Sequence, residues 1–260
     1  MKAFITSYWK TLIFFTMIGL VGGFFTGLYL LESYPADIRQ QLIDEMVASG
    51  LGRFPVDVVL GAITAVQSAG YGLILGTLGI LLSKKVGLWR DERTINKKPL
   101  LLSVAAACVG GLALILPDIL FFGRHSPAIM DSYAVKPTIP YLLATVTYGA
   151  VIEEVMLRLF FLSLIAFLLH LLFGKRHTPP STTILVIANL VAALLFASGH
   201  LPATFILLGD SPLIIFRCFL LNGGFGLLFG WLYCKYGLRY AMIAHGGCHI
   251  VSKLIWILFL

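Results

Sequence analysis

Six titratable side chains in the second half of the chain are of the types that cut bonds. Glu153 and Glu154 stand side by side with Arg158 behind them, inside an apolar stretch running from Tyr141 to Phe173. His200 closes the run Phe196-Ala-Ser-Gly-His200, and His245 and His249 frame His245-Gly-Gly-Cys-His249. A charge at the centre of a bilayer costs at least about 2.5–3.5 kcal/mol, so a sequence keeps three in one segment only if they are paired, shielded or used. A carboxyl group and an imidazole brought together in such surroundings suit general-base and general-acid work on a water molecule.

Helical spacing divides labour among these residues. Glu154 and Arg158 are four apart, so they share a face and can pair, which offsets part of the cost of both charges. Glu153 is rotated from Glu154 by about 100° and is left to face something else. The pairs Phe196/His200 and His245/His249 each share one helix face. Gly246 and Gly247 remove side-chain bulk and would let another helix or an extended peptide approach. The bland alternative is one buried packing network, and for each histidine an interhelical hydrogen bond.

These residues need a membrane-embedded frame. Of the 260 residues 59% are hydrophobic and only 12% charged, against about 25% charged in soluble domains. Mean hydropathy is +0.94. Apolar stretches long enough to span a bilayer lie at about 11–31, 57–83, 99–122, 140–173, 182–201, 212–234 and 238–260, roughly 20 residues being needed to cross. The first is expected to stay as an anchor. Alternate loops carry Lys2, Lys10, Lys84, Lys85, Arg90, Arg93, Lys97, Lys98, Lys175, Arg176, Lys235 and Arg239, while the others hold only Arg39, Arg53, Arg124 and Lys136. The positive-inside bias then puts the N-terminus in the cytosol and the C-terminus outside a prokaryotic cell membrane. The net charge of +7 is spread over short loops and argues against nucleic-acid binding.

Between the first two spans, Pro35 to Gly50 reads as an amphipathic interfacial helix, with Ile38, Leu42, Met46 and Val47 on its apolar stripe. The expected fold class is therefore all-α: a polytopic integral membrane helical bundle of about seven transmembrane helices plus one amphipathic interfacial helix. The first three spans carry almost no charge. Cys108, Cys218, Cys234 and Cys248 have no framework spacing and read as small buried hydrophobes.

Glu-Glu-x-x-x-Arg, then Phe-x-x-x-His, then a last-span His-x-x-x-polar motif resembles the CAAX protease and bacteriocin-processing family of intramembrane endopeptidases. The approach Asn222-Gly-Gly-Phe-Gly-Leu-Leu-Phe-Gly-Trp-Leu-Tyr, the turn Lys235-Tyr-Gly-Leu-Arg and Ala-Met-Ile-Ala-His245 are also similar to it. The resemblance covers roughly residues 140–255 and divides the chain into an N-terminal membrane region, 1–138, and a protease core, 139–260. It implies hydrolysis of a peptide or membrane-protein substrate in the lipid bilayer. Glu153 and His200 would activate water, Glu154 would act in support through Arg158, and His245 with residue 249 would stabilise the oxyanion. Phe196, Gly246 and Gly247 would line the substrate.

Where the family commonly has Asn, this chain has His249. That histidine can donate a hydrogen bond, and it can also bind metal. Glu153, His200, His245 and His249 would make a zinc set, although the resemblance implies metal-free, glutamate-based chemistry without a cofactor. Scaffold or immunity-type members of the family, and a proton-coupled transporter, are the rival readings.

Outside these motifs, Asn189 is expected to make an ordinary interhelical hydrogen bond, and Asn222 with its glycines to allow close helix packing. Arg217 and Lys253 are expected to snorkel to the outer interface. His125, His170 and His177 lie near span ends or in loops. A geometric difficulty remains: straight helices put Glu153 roughly 20 Å below the outer end of its span, His200 at the outer surface, and His245 within about 10 Å of the inner one.

Overall fold

The computed structural model describes residues 2–90, 94–175 and 178–260, with side chains from residue 7 onward. Arg93, Arg176 and His177 lie outside the described residues. All described secondary structure is helical, and seven helices are long and apolar enough to cross a membrane: Ser7–Ser33, Val56–Lys85, Lys97–His125, Ile139–Phe173, Thr182–Leu208, Pro212–Tyr236 and Leu238–Phe259. Large apolar side chains stay open on their outer faces, among them Val66, Leu101 and Val109, each about 70% exposed. In water such a surface would be a liability, whereas in lipid it has nothing to lose. The protein is an integral membrane bundle.

Two layers of end contacts show which helix ends lie together. At one end Lys136 Nζ bonds the Trp256 and Ile257 carbonyls at 3.3 and 3.2 Å, and Trp256 Nε1 donates to the Tyr133 carbonyl at 2.9 Å. Leu208 and Leu213 pack there against Phe122, Ile129 and Ile214. At the other end Lys84 Nζ reaches the Tyr8 hydroxyl at 2.9 Å, and the Asn96 backbone N–H donates to the Tyr240 hydroxyl at 2.8 Å. The seven spans therefore alternate in direction, as the loop charges require.

Glycines set how close the first two spans come. Gly19, Gly23 and Gly27 recur every four residues, and a methyl on Gly19 would sit 2.5 Å from the Ser68 carbonyl oxygen. Thr64 Oγ1 donates across that contact to the Gly23 carbonyl at 2.7 Å. Small residues at helical spacing let backbones approach where lipid provides no hydrophobic drive. Ala36–Ala48 forms the short helix after the first span; none of its residues is buried. Ile43 and Val47 are exposed, and Gln40 and Gln41 bond Asp44 and Glu45 at 2.9 Å along its polar side. Gly50, at φ +78°, ends it. All four cysteines are free; Cys218 and Cys248 are buried and Cys108 is exposed.

One expectation about charge is overturned. The third span carries a fully buried carboxylate, Asp118, and Arg217 does not snorkel but grips it with Nε and Nη2, both at 2.5 Å. Tyr133 donates to the same carboxylate at 2.8 Å. The clamp joins the third and sixth spans to the Pro127–Ala134 helix. A bidentate guanidinium–carboxylate pair needs no water to satisfy it, which is why it outcompetes the interface for Arg217. Cutting one partner leaves a buried charge alone, so Asp118→Asn and Arg217→Met should each destabilise the protein by about 3–5 kcal/mol. A joint Asp118→Leu/Arg217→Leu variant should lose less. Thermal unfolding in detergent checks this; three equal losses would contradict it.

Candidate active site

The fourth span is not a regular α-helix where the glutamates sit. Thr145–Glu153 and Val155–Leu162 follow π-helical, i→i+5 geometry on either side of Glu154. π-Turns are rare and widen the helix, so neighbouring side chains diverge by less than the α-helical angle. Glu153 and Glu154 can then both reach toward the last span, which α-helical spacing does not foresee.

Glu154, with no exposed surface, lies 3.0 Å from Arg158 Nη1 through Oε1, as the four-residue spacing anticipates. The same oxygen also takes the hydrogen bond of His245 Nδ1 at 2.8 Å. Because a carboxylate can only accept, Nδ1 carries the proton and the far nitrogen, Nε2, is turned outward. His245 Nε2 lies 3.2 Å from His249 Nε2 and 3.9 Å from Glu153 Oε2. Glu153 keeps 19% of its side-chain surface open, against none for Glu154. Two carboxylates thus approach opposite edges of one imidazole, one committed and one free.

Aromatic rings hold the buried cations in place. The Arg158 guanidinium sits 4.6 Å from the Phe196 ring centroid and 5.5 Å from that of Phe229, and Nη2 donates to the Gly226 carbonyl at 3.3 Å. Phe229 stacks on His245 at 4.6 Å and 19°. Phe196 lies edge-on to both His200 and His245, at 4.7 and 6.0 Å. His200 Nδ1 must be a donor, since it bonds the Phe196 carbonyl at 2.8 Å; its Nε2 is left as an acceptor.

The true helix ends bring Glu153 and His245 to one depth and leave His200 shallower. The fifth span does not stop at 201 but turns at His200 and continues through Leu201–Leu208, with Pro202 in the first turn where its missing N–H costs nothing. Measured from the shared end of the bundle, Glu153 and His245 each lie fourteen residues in, from Ile139 and Phe259, or about 21 Å. His200 lies eight residues in from Leu208, about 12 Å, and Phe196, one turn deeper, bridges the difference. The fourth span simply extends farther than its neighbours at the opposite end.

The described residues contain no group of three or more His, Cys, Asp or Glu side chains arranged to hold a metal ion. His245 and His249 face each other through Nε2, while His245 Nδ1 and His200 Nδ1 are engaged with Glu154 and the Phe196 carbonyl, which leaves the Nε2 edge of each ring as its reactive edge.

Gly246 and Gly247 face helices. A methyl on Gly247 would sit 2.4 Å from the Ala107 Cβ of the third span, and one on Gly246 would sit 3.0 Å from the Ala150 Cβ of the fourth. Phe196, only 5% exposed, is likewise packed within the cluster. Asn189 donates to the Leu227 carbonyl at 3.0 Å, joining the fifth and sixth spans as expected, and Asn222 bonds the Cys218 carbonyl within its own helix. Gly149 is the glycine that opens onto the imidazoles: a methyl there would lie 3.4 Å from His249 Nε2. It precedes Glu153 by four residues, a spacing readable in the sequence. Phe229 carried no such signal, because stacking on a distant ring is a tertiary fact. Lys253, expected at the interface, is only 8% exposed and lies with Nζ 4.6 Å from the Tyr141 ring centroid.

Residues 135–251 match the family model described as type II CAAX prenyl endopeptidase Rce1-like. No curated protein and no solved structure matches the chain.

If Gly247 serves helix packing, Gly247→Ala should overpack the contact with Ala107 and cost about 1–3 kcal/mol, with Gly246→Ala costing less. Unfolding midpoints of the two variants check this, and an unchanged midpoint for Gly247→Ala would contradict it.

Proposed function

From the match of residues 135–251 to the type II CAAX prenyl endopeptidase Rce1-like model, we propose that the chain hydrolyses a peptide bond within the membrane. The observation that carries the reading is the asymmetry of the glutamate pair. Glu154 is sealed against Arg158 and His245, while Glu153 stays partly open beside the outward edge of the same imidazole.

In this reading Glu153 takes a proton from water, and the water oxygen adds to the scissile carbonyl carbon. His200, with Nε2 free to accept, helps to orient that water. The Nε2 edges of His245, which Glu154 orients through Nδ1, and of His249 are the hydrogen-bond donors offered to the oxyanion. Such donors are each worth about 3–4 kcal/mol in the transition state. The carbon–nitrogen bond then breaks, and Glu153 returns its proton to the departing amine. Phe196, Phe229 and Arg158 exclude bulk water and fix the rings.

The chemistry proposed is metal-free. Residues 139–260 are taken as the catalytic core, buttressed by 1–138. The loop charges support a cytosolic N-terminus in a prokaryotic cell membrane. A prenylated peptide, the class in the family's description, is the first substrate to try.

In purified protein reconstituted into vesicles, Glu153→Gln should lower cleavage at least about a hundredfold while leaving insertion and unfolding temperature unchanged. His200→Ala should impair cleavage in the same way. Full activity in purified Glu153→Gln would sink the reading. Chelators should leave the wild-type rate unaltered; stoichiometric zinc lost together with activity would overturn the metal-free part.

A further inference from the structure

Two arginines inside the bundle have carboxylates: the buried Arg158 has Glu154, and the half-buried Arg217 has Asp118. Lys253 has none. It lies in the last span, 8% exposed, and no carboxylate or hydrogen-bond acceptor among the described residues is within bonding distance of its ammonium. What it touches is the face of Tyr141, which is itself stacked on Tyr29 at 4.3 Å. A ring face offers an ammonium partial relief, on the order of 2 kcal/mol when desolvated, and leaves its three donors unspent.

Its position connects it to the candidate site. His245, His249 and Lys253 recur every four residues and form one row along the last span. That row faces the fourth span, where His249 lies beside Gly149 and Lys253 lies over Tyr141. The ammonium, with no carboxylate within bonding distance among the described residues, is an unpaired positive charge at the end of the histidine row.

We infer that Lys253 is a substrate-positioning residue that binds a carboxylate of the peptide. The carboxylate belongs two to four residues from the scissile carbonyl. The helix rise puts Lys253 about 6 Å beyond His249 and about 12 Å beyond His245, and an extended peptide advances about 3.3 Å per residue. Either a chain end or an acidic side chain supplies this group. The inference rests on the hydrolysis reading for the nature of its ligand, but binding alone tests it.

The test uses the full chain in detergent, in a Glu153→Gln background so that the probe survives. Three dansyl-labelled prenylated tetrapeptides are titrated: a free acid, its carboxamide, and a carboxamide with glutamate as last residue. The free acid, the glutamate carboxamide or both should bind about tenfold or more tighter than the plain carboxamide, the scale of a charge-assisted hydrogen bond. Which of them gains identifies the source of the carboxylate. Adding Lys253→Gln should erase the preference without changing affinity for the plain carboxamide, and Lys253→Arg should restore most of it. Equal affinity for all three peptides, no saturable binding of any, or a preference that survives Lys253→Gln overturns the inference. If Lys253→Gln does not fold, the arginine variant and the comparison in the parent background still decide. Loss of cleavage in Glu153→Gln is measured separately, so the two readings fail independently.

Discussion

A single carboxylate oxygen, Glu154 Oε1, holds the second half of this bundle in register. It lies in the apolar interior and meets two cationic or proton-bearing partners, Arg158 on its own helix and His245 on the last. Neither partner can be removed cheaply, because the others would remain buried with unmet charge. Through Arg158 the oxygen controls the sixth span, via the Gly226 carbonyl, and the ring of Phe196 on the fifth. Through His245 it sets which nitrogen faces Glu153. Four spans converge on that one acceptor.

The consequence is a division of labour between adjacent residues of the same type. Glu154 loses its freedom to the framework, and Glu153, on the other edge of the same imidazole, keeps enough surface to meet water. The π-helical geometry of the fourth span makes this possible by bringing successive side chains toward one partner. Irregular turns of this kind are tolerated in lipid only where neighbours satisfy the freed backbone groups. Against Thr145–Glu153 the first and last spans supply small residues such as Gly22 and Gly246, and against Val155–Leu162 the second span brings Gly79 onto Leu159.

Much of this was legible in the residues. Seven spans, the helix after the first span and the pairing of Glu154 with Arg158 follow from the cost of charge in lipid and from four-residue spacing. What escaped was mostly long-range. Asp118 and Arg217 lie on different spans, and only packing reveals that they pair. Lys253 turned inward because Tyr141 happened to be across the interface, a choice invisible to a rule about snorkelling. The fifth span was ended at 201, but the helix Leu201–Leu208 carries it on, with Pro202 in the first turn, where a proline lacks nothing. Gly246 and Gly247 suggested a peptide-binding surface, but small residues serve a neighbouring helix equally well, and here they do.

The central claim concerns one proton, the one between His245 and Glu154. Nitrogen-15 NMR of histidine-labelled protein in detergent reads it directly. The account predicts that His245 Nδ1 is protonated and strongly hydrogen-bonded, and that Glu154→Gln shifts that signal while leaving His200 little changed. A His245 that carries its proton on Nε2 alone, or whose spectrum ignores the loss of the Glu154 charge, would contradict it.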